Sequence, residues 1–294
     1  LAKPPVRKLA RDRGVDLAAI TGTGPLGSVT RADIEAAVAT GAAPNGAGSS
    51  PAAFRSAGGQ DEREERLPIK GVRRHTAAAM VASAFTAPHV TEWVTVDVTP
   101  TMELVGRLRA LPEFAEVRVG PLLLVAKALL LGVRRHPLVN SSWDEAAQEI
   151  VVKRYVNLGI AAATPRGLVV PNVRDADAMS LPELASALEQ LTATARDGRT
   201  TPADMSGGTI TITNVGVFGV DAGTPILNPG EAAILCFGAV RPMPWVHEGV
   251  IAVRQVTQLA LSFDHRIIDG QLGSQFLADV AAVLAEPGLA LAFG

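Results

Sequence analysis

The chain has a single cysteine in 294 residues, Cys236. That excludes an internal disulfide framework and any cysteine-based metal site. Cys236 sits in the apolar run Ala232-Ala233-Ile234-Leu235-Cys236-Phe237, the setting of a buried, inert thiol. An excess of charge is missing too. With 27 basic and 29 acidic side chains the net charge is −2, which points to no overall nucleic-acid or membrane partner. The longest apolar run, around Leu122 to Val133, is interrupted by Lys127 and is too short to span a bilayer. No phosphate-binding glycine loop, internal repeat or metal-ligand cluster is visible. His75, His89, His136 and His247 are scattered without ligand spacing. No signal-peptide pattern is present, a start at Leu1 in place of Met reads as a fragment, and the expected compartment is cytoplasmic.

The feature that stands out is Asp264-His265-Arg266-Ile267-Ile268-Asp269-Gly270, near the C-terminus. His is the side chain best suited to accept a proton near neutral pH. Two carboxylates flank it, and Asp269, four positions on, returns to the same side of a turn and helps to hold the backbone. The preceding run Leu259-Ala260-Leu261-Ser262-Phe263 alternates large and small residues, the pattern of a half-buried strand. After it, Leu272, Phe276, Val280 and Val283 fall at helical spacing. His265 is therefore expected on a strand-to-helix loop, where working groups are displayed. The same residues also fit a plainer reading, a structural histidine with Asp269 as a helix N-cap.

Composition divides the chain into 1–40, 41–66 and 67–294. In the first segment Val6, Leu9 and Ala10 fit a short helix after Pro4-Pro5, ended by Gly14. The turn-forming loop Ile20 to Gly27 follows, then Thr30-Arg31-Ala32-Asp33, a capping box with Asp in place of Glu. Residues 41 to about 60 have linker composition, and a charge run, Asp61 to Arg66, leads on. Beyond Leu67 the patterns mix. Met102–Leu111, Pro121–Arg135 and Leu181–Arg196 read as helices. Val151–Ala163, Gly167–Val173, Gly208–Asn214, Ala232–Val240 and Leu259–Phe263 read as strands. One α/β (α+β) domain with a large mixed sheet is expected.

The histidine segment resembles the His-x-x-x-Asp-Gly signature of dihydrolipoamide acyltransferases, the core subunits of 2-oxo acid dehydrogenase complexes. Chloramphenicol acetyltransferases share the signature, and the fuller Asp-His-Arg-x-x-Asp-Gly form favours the first family. Gly208-Thr209-Ile210-Thr211-Ile212-Thr213-Asn214-Val215-Gly216, Thr164 to Pro171, Asn140 to Glu145 and Pro229 to Ile234 are similar to further family stretches. Residues 4–38, with Pro4-x-Val6-Arg7-x-x-Ala10 and the loop at 22–27, resemble the family's peripheral-subunit-binding domain. The resemblance implies a chloramphenicol-acetyltransferase-like catalytic domain behind a small two-helix binding domain.

It also implies a reaction, acyl transfer between dihydrolipoamide and coenzyme A. His265 is then the base, and Thr213 stands where the family has an oxyanion-donating hydroxyl. Asp269 pairs by resemblance with an arginine from the start of the domain, here Arg73, with the neighbouring Arg74 as the alternative. Arg109, Asn214 and Gly238 are the coenzyme A candidates, and an acidic residue that some relatives place near the cofactor is Ala163 here. Arg7 and Arg31 are the basic contacts for a partner, with Ser28 where the family usually has Arg. The implied partners are the 2-oxo acid decarboxylase component and dihydrolipoyl dehydrogenase. None of Lys3, Lys8, Lys70, Lys127 and Lys153 has the Asp-Lys-Ala context of lipoyl attachment, so the lipoyl carrier is expected upstream.

Three rivals are weaker on the residues. A non-catalytic scaffold paralogue is expected to lose His265, a chloramphenicol-type enzyme to lack the binding domain, and a condensation domain to have a second histidine where Asp264 stands. Asn172, after Val169-Val170-Pro171, favours a branched-chain acyl group, with acetyl and succinyl transfer open. By resemblance the catalytic domain forms a homotrimer, these assemble into a hollow core, and each active site lies between subunits. The apolar tail Leu289 to Phe293 suits burial against another chain or packing within its own.

Overall fold

The computed structural model describes residues 2–39, 64–164 and 167–293. The linker stretch 41–60, the start of the charge run and Pro165-Arg166 of the Thr164–Pro171 motif lie outside them. The chain divides into two compact units, Leu1–Arg66 and Leu67–Gly294.

In the first unit Pro4 and Pro5 open α1 (Pro4–Asp12), where a missing N–H costs nothing. Gly14, with φ +66°, turns the chain out of it. α2 (Arg31–Ala39) packs on α1 through Ala10, Val29 and Ile34, with Val6, Leu9 and Ile20 against them. Asp33 joins the loop to α2. Its carboxylate accepts the Thr30 amide (2.8 Å) and hydroxyl (3.0 Å) and the Thr23 amide (3.1 Å) and hydroxyl (2.6 Å). The capping box therefore works with Asp because the loop supplies a second pair of donors.

These donors, the Thr23 hydroxyl first, hold the Asp33 carboxyl well below the usual carboxylate range. A depressed folded-state value adds stability above the unfolded value and loses it as pH falls below that value. The Thr23 and Thr30 amide resonances should thus hold steady until the pH drops below 3.8, and a titration centred above that value contradicts the bonding.

The second unit runs α3 (Gly71–Thr86), β1 (His89–Asp97), α4 (Thr99–Leu108) and α5 (Pro121–Arg135), then a hairpin of β2 (Ser141–Asp144) and β3 (Glu149–Val152). β4 (Leu158–Thr164), β5 (Gly167–Val169) and β6 (Asn172–Val173) follow, then α6 (Leu181–Arg196), β7 (Ile210–Asn214) and β8 (Ala233–Phe237). A long hairpin, β9 (Arg241–His247) and β10 (Val250–Asp264), leads into α7 (Gly270–Ala285) and the short α8 (Ala290–Phe293). The main sheet has the order β1-β10-β8-β7-β4-β5, with β6 on β4 and β9 on β10. β4, β7 and β8 are parallel to one another, while β10 is antiparallel to β8 and β1.

α5 buries every residue from Leu123 to Val133 except Lys127. It packs on α7 so closely that a side chain at Gly132 would meet the Phe276 ring at 2.9 Å. α6 opens with the Ser180–Glu183 capping box and lies on β4.

Several expectations need correction. Val151–Ala163 is not one strand, because the chain leaves β3 after Val152 and Asn140 ties the Lys153 and Tyr155 carbonyls between the two sheets. Gly167–Val173 is likewise two short pieces separated at Val170-Pro171. Leu259–Phe263 is buried on both faces, not one, because β10 is an interior strand and Ser262 bonds Thr91. In the tail, Leu289, Ala290 and Phe293 pack on their own subunit, with Arg135 over the Phe293 ring at 4.0 Å. Leu291, in contrast, is 92% exposed.

Candidate functional site

His265 stands at the C-terminal end of β10, on the turn into α7. Its backbone amide donates to the Pro88 carbonyl at 2.9 Å. Its ring is exposed, 6.1 Å from that of Phe263, and makes no hydrogen bond among the described residues. Neither flanking carboxylate serves the imidazole. Asp264 is buried and grips Arg266 through two oxygens (Nε–Oδ1 3.0 Å, Nη2–Oδ2 2.6 Å), and Arg266 lies over Trp143 at 4.8 Å. Such a forked pair fixes direction as well as charge. Asp269 caps α7, its side chain accepting the Leu272 amide at 2.8 Å. The loop is held on both sides of the histidine, and the imidazole is left free of these bonds.

The expected Arg73–Asp269 ion pair is not formed. Arg73, on the first turn of α3, lines a cavity with Thr164 and Leu168, while the Asp269 carboxylate is spent on the helix N-terminus. The plainer reading of Asp269 as an N-cap is the observed one. Asp269→Ala should accordingly cost about 1 kcal/mol in thermal unfolding. A change of under a few tenths of that contradicts the cap.

β7 sorts its three threonines. Thr209 is buried and accepts the Asn157 amide at 3.1 Å. Thr211, also buried, donates to Glu231 at 2.7 Å and accepts from Asn228 at 2.9 Å. Thr213 is half-buried, and its hydroxyl has no partner among the described residues. Beside it the Asn214 Oδ1 is buried without a hydrogen bond. Gly216 and Gly238 explain the glycines nearby, since a Cβ on Gly216 would stand 2.4 Å from the Gly238 carbonyl oxygen. A Cβ on Gly238 would stand 1.8 Å from the carbonyl oxygen of Asp221. Gly238 is thus required for backbone packing, whatever its relation to a ligand.

The site residues fall into two groups. Thr213 lies opposite Cys236 of β8, which lies opposite Ala260 of β10. His265 is five residues further along β10, so the two backbones are roughly 20 Å apart. Within one chain they cannot touch the same atom. Thr213, Asn214 and Gly238 share one end of the sheet, and His265 and Asp269 share the other. Arg109 is the exposed C-cap of α4 and donates to the Val119 carbonyl at 2.9 Å. In the first unit Arg7 donates to the Ala2 carbonyl, and Arg31 pairs with Glu35 at 2.9 Å. Ser28 turns its hydroxyl onto the Pro25 carbonyl. Asn172 is tied down as well, its side chain holding the carbonyls of Asp204 and Ser206 at 3.0 Å each. That role is a loop clamp, which explains the residue without reference to an acyl chain.

Sequence reasoning missed Glu231. It lines a cavity of about 480 Å³ beside the histidine loop, with Trp143, Asn228, Asp264 and Arg266. Burial pushes its carboxyl up to about 7, against the pull of Thr211, Asn228 and Lys153. The available signal was an acid placed directly before the buried run Ala232 to Phe237. A raised folded-state value means that the folded chain holds a proton the unfolded chain has released. Stability is therefore lost as pH rises from 4.5 to about 7. Glu231→Gln should raise the melting temperature at pH 8 and leave it nearly unchanged at pH 5, whereas equal effects at both contradict the assignment.

Residues 61–292 match the 2-oxoacid dehydrogenases acyltransferase (catalytic domain) family, and residues 1–35 match the e3 binding domain family. The dihydrolipoyllysine-residue acetyltransferase component of the pyruvate dehydrogenase complex of Staphylococcus aureus is 37% identical over 308 residues, covering 100% of this chain and 71% of that protein. A dihydrolipoamide acetyltransferase structure from Azotobacter vinelandii superposes with a TM-score of 0.74 at 31% identity, covering 83% of this chain and 99% of that one. The cubic core of a pyruvate dehydrogenase multienzyme complex gives 0.74 at 30% identity, with coverage of 83% and 99%. A catalytic-domain match over the mixed sheet and a binding-domain match over the small helical unit before it occur in one chain: it belongs to the 2-oxoacid dehydrogenase acyltransferase family and is an acyltransferase of its multienzyme cores.

Proposed function

We propose that the chain transfers an acetyl group between dihydrolipoamide and coenzyme A, with His265 as general base and Thr213 of a neighbouring subunit as oxyanion donor. The observation that carries the mechanism is the His265 ring, left free on a loop whose flanking carboxylates are otherwise engaged. A thiol is mostly protonated at neutral pH, so attack on a thioester needs its proton removed. The imidazole takes that proton as sulfur attacks the carbonyl carbon. The Thr213 hydroxyl donates to the oxyanion that forms. As the intermediate collapses, the C–S bond to the departing thiol breaks and the imidazolium returns the proton to it.

The Azotobacter protein supports this assignment. Its catalytic mechanism was investigated through a serine, a histidine and an asparagine. The serine-to-histidine spacing, 610 less 558, equals that of Thr213 and His265, 265 less 213, and the asparagine stands four places after the histidine, as Asp269 does. The orphaned Asn214 oxygen and the exposed Arg109 are groups fit to meet coenzyme A or the neighbouring subunit. The lipoyl group supplies the thiol when its carrier domain presents it.

A head-to-tail ring, which a trimer closes, brings the two halves of the site together at each subunit boundary. The exposed apolar residues Phe85 (85%), Val217 (71%) and Phe218 (68%) suit such a contact. Assembly of trimers into a larger core, and docking of dihydrolipoyl dehydrogenase or the decarboxylase component on the first unit through Arg7, belong to the same proposal. Acetyl is favoured over a branched-chain group because the relatives named above serve pyruvate dehydrogenase complexes and because Asn172 is a loop clamp. Titrating the purified protein with acetyl-, isobutyryl- and succinyl-coenzyme A tests the choice. The highest kcat/KM is expected with acetyl-coenzyme A, and a preference for isobutyryl returns the branched-chain reading.

A further inference from the structure

The segment Ala87-Pro88-His89 joins α3 to β1 directly beneath the histidine loop. Pro88 holds the His265 amide through its carbonyl, and His89 lies opposite Asp264 in the β1–β10 register. The His89 ring has two partners of opposite kind. Its Nδ1 is 2.7 Å from the Ala87 carbonyl, and its Nε2 is 3.0 Å from the Leu227 amide nitrogen. A carbonyl only accepts and an amide N–H only donates. The ring that satisfies both is neutral, with its proton on Nδ1 and Nε2 bare. The Leu227 carbonyl is held in turn by the buried Ser83 hydroxyl of α3 at 2.7 Å. The Ala87 bond is local, whereas the Leu227 bond reaches across 138 positions of sequence. One ring thus ties α3, the start of β1 and the turn before Asn228 to the segment that carries His265.

We infer that His89 is a positioning residue for the transfer reaction. By accepting the Leu227 amide it fixes the Pro88 carbonyl, and through it the backbone of His265. This rests on the reading of His265 as the base. A histidine that merely filled space would be replaced without regard to which ring nitrogen is mimicked. Here the distant bond matters, so an acceptor at the Nε2 position is required. The Gln side-chain oxygen reaches that position, while the shorter Asn amide reproduces only the Nδ1 donor.

The test is steady-state kinetics on the assembled protein with His89→Ala, His89→Gln and His89→Asn. His89→Ala should lower kcat about tenfold or more, with the KM for acetyl-coenzyme A within about twofold of wild type, as expected of a misplaced base. His89→Gln should recover most of the lost kcat and His89→Asn should not. Should His89→Ala fail to assemble, the contrast between Gln and Asn decides alone. Equal activities of the Gln and Asn variants, or wild-type kcat in the Ala variant, overturn the inference. A wild-type protein without acyltransferase activity would instead remove the reading of His265 on which it rests.

Discussion

His265→Ala is expected to lower acyl transfer by about 10²–10⁴-fold, the range that general-base catalysis supplies, with the fold and assembly intact. The second half of that expectation follows from the loop. His265 contributes its backbone amide to Pro88, which any residue can do, and its exposed side chain supports no neighbour through a hydrogen bond among the described residues. The elements that hold the loop are Asp264 with Arg266, and Asp269 with Leu272, and they survive the substitution. Activity and melting temperature should therefore part company in this variant. A folded, assembled protein with near-normal turnover shows that some other group removes the proton.

Thr213→Val should lower kcat by about 10²–10³-fold, as loss of one oxyanion donor does, with a smaller change in KM. The isosteric change keeps the β-branched shape that suits the strand. Thr211→Val makes a contrasting control. It strands the buried carboxyl of Glu231 and the amide of Asn228, so its penalty should appear in stability, where the Thr213 variant shows none. If Thr213→Val loses stability and keeps its turnover, the hydroxyl has been assigned to the wrong task.

Much of this site was legible because its signals are local. A base on a strand-to-helix turn, a cap four positions later and a helix with Leu272, Phe276 and Val280 at helical spacing are all written within twenty residues. The same holds for α5, framed by Pro121 and Arg135, and for α6, opened by Ser180 and Glu183. What needed the third dimension was less visible. β9 carries Pro242 and Pro244, which argue against a strand unless it lies at an edge, as it does on β10. β1 is obscured because Trp93 and Val94 stand side by side and break its alternation, and α3 spreads its apolar residues too thinly for a clear helical stripe. The proposed Arg73–Asp269 pair failed because a short carboxylate at a helix start finds backbone donors first. Glu231 and His89 depend on partners far away in sequence, Thr211 and Leu227, and no spacing rule reaches them.

The separation of His265 from Thr213 is the central structural fact, and one experiment addresses it most directly. His265→Ala and Thr213→Val chains, each slowed about 10²-fold or more alone, are co-expressed and assembled together. If each site takes its histidine from one subunit and its threonine from the next, random mixing in a ring gives about a quarter of the sites an intact pair. Activity should return to that fraction of wild type. If both residues serve their own subunit, every site carries one lesion and the mixed assembly stays as inactive as its parents, a result that contradicts the shared site.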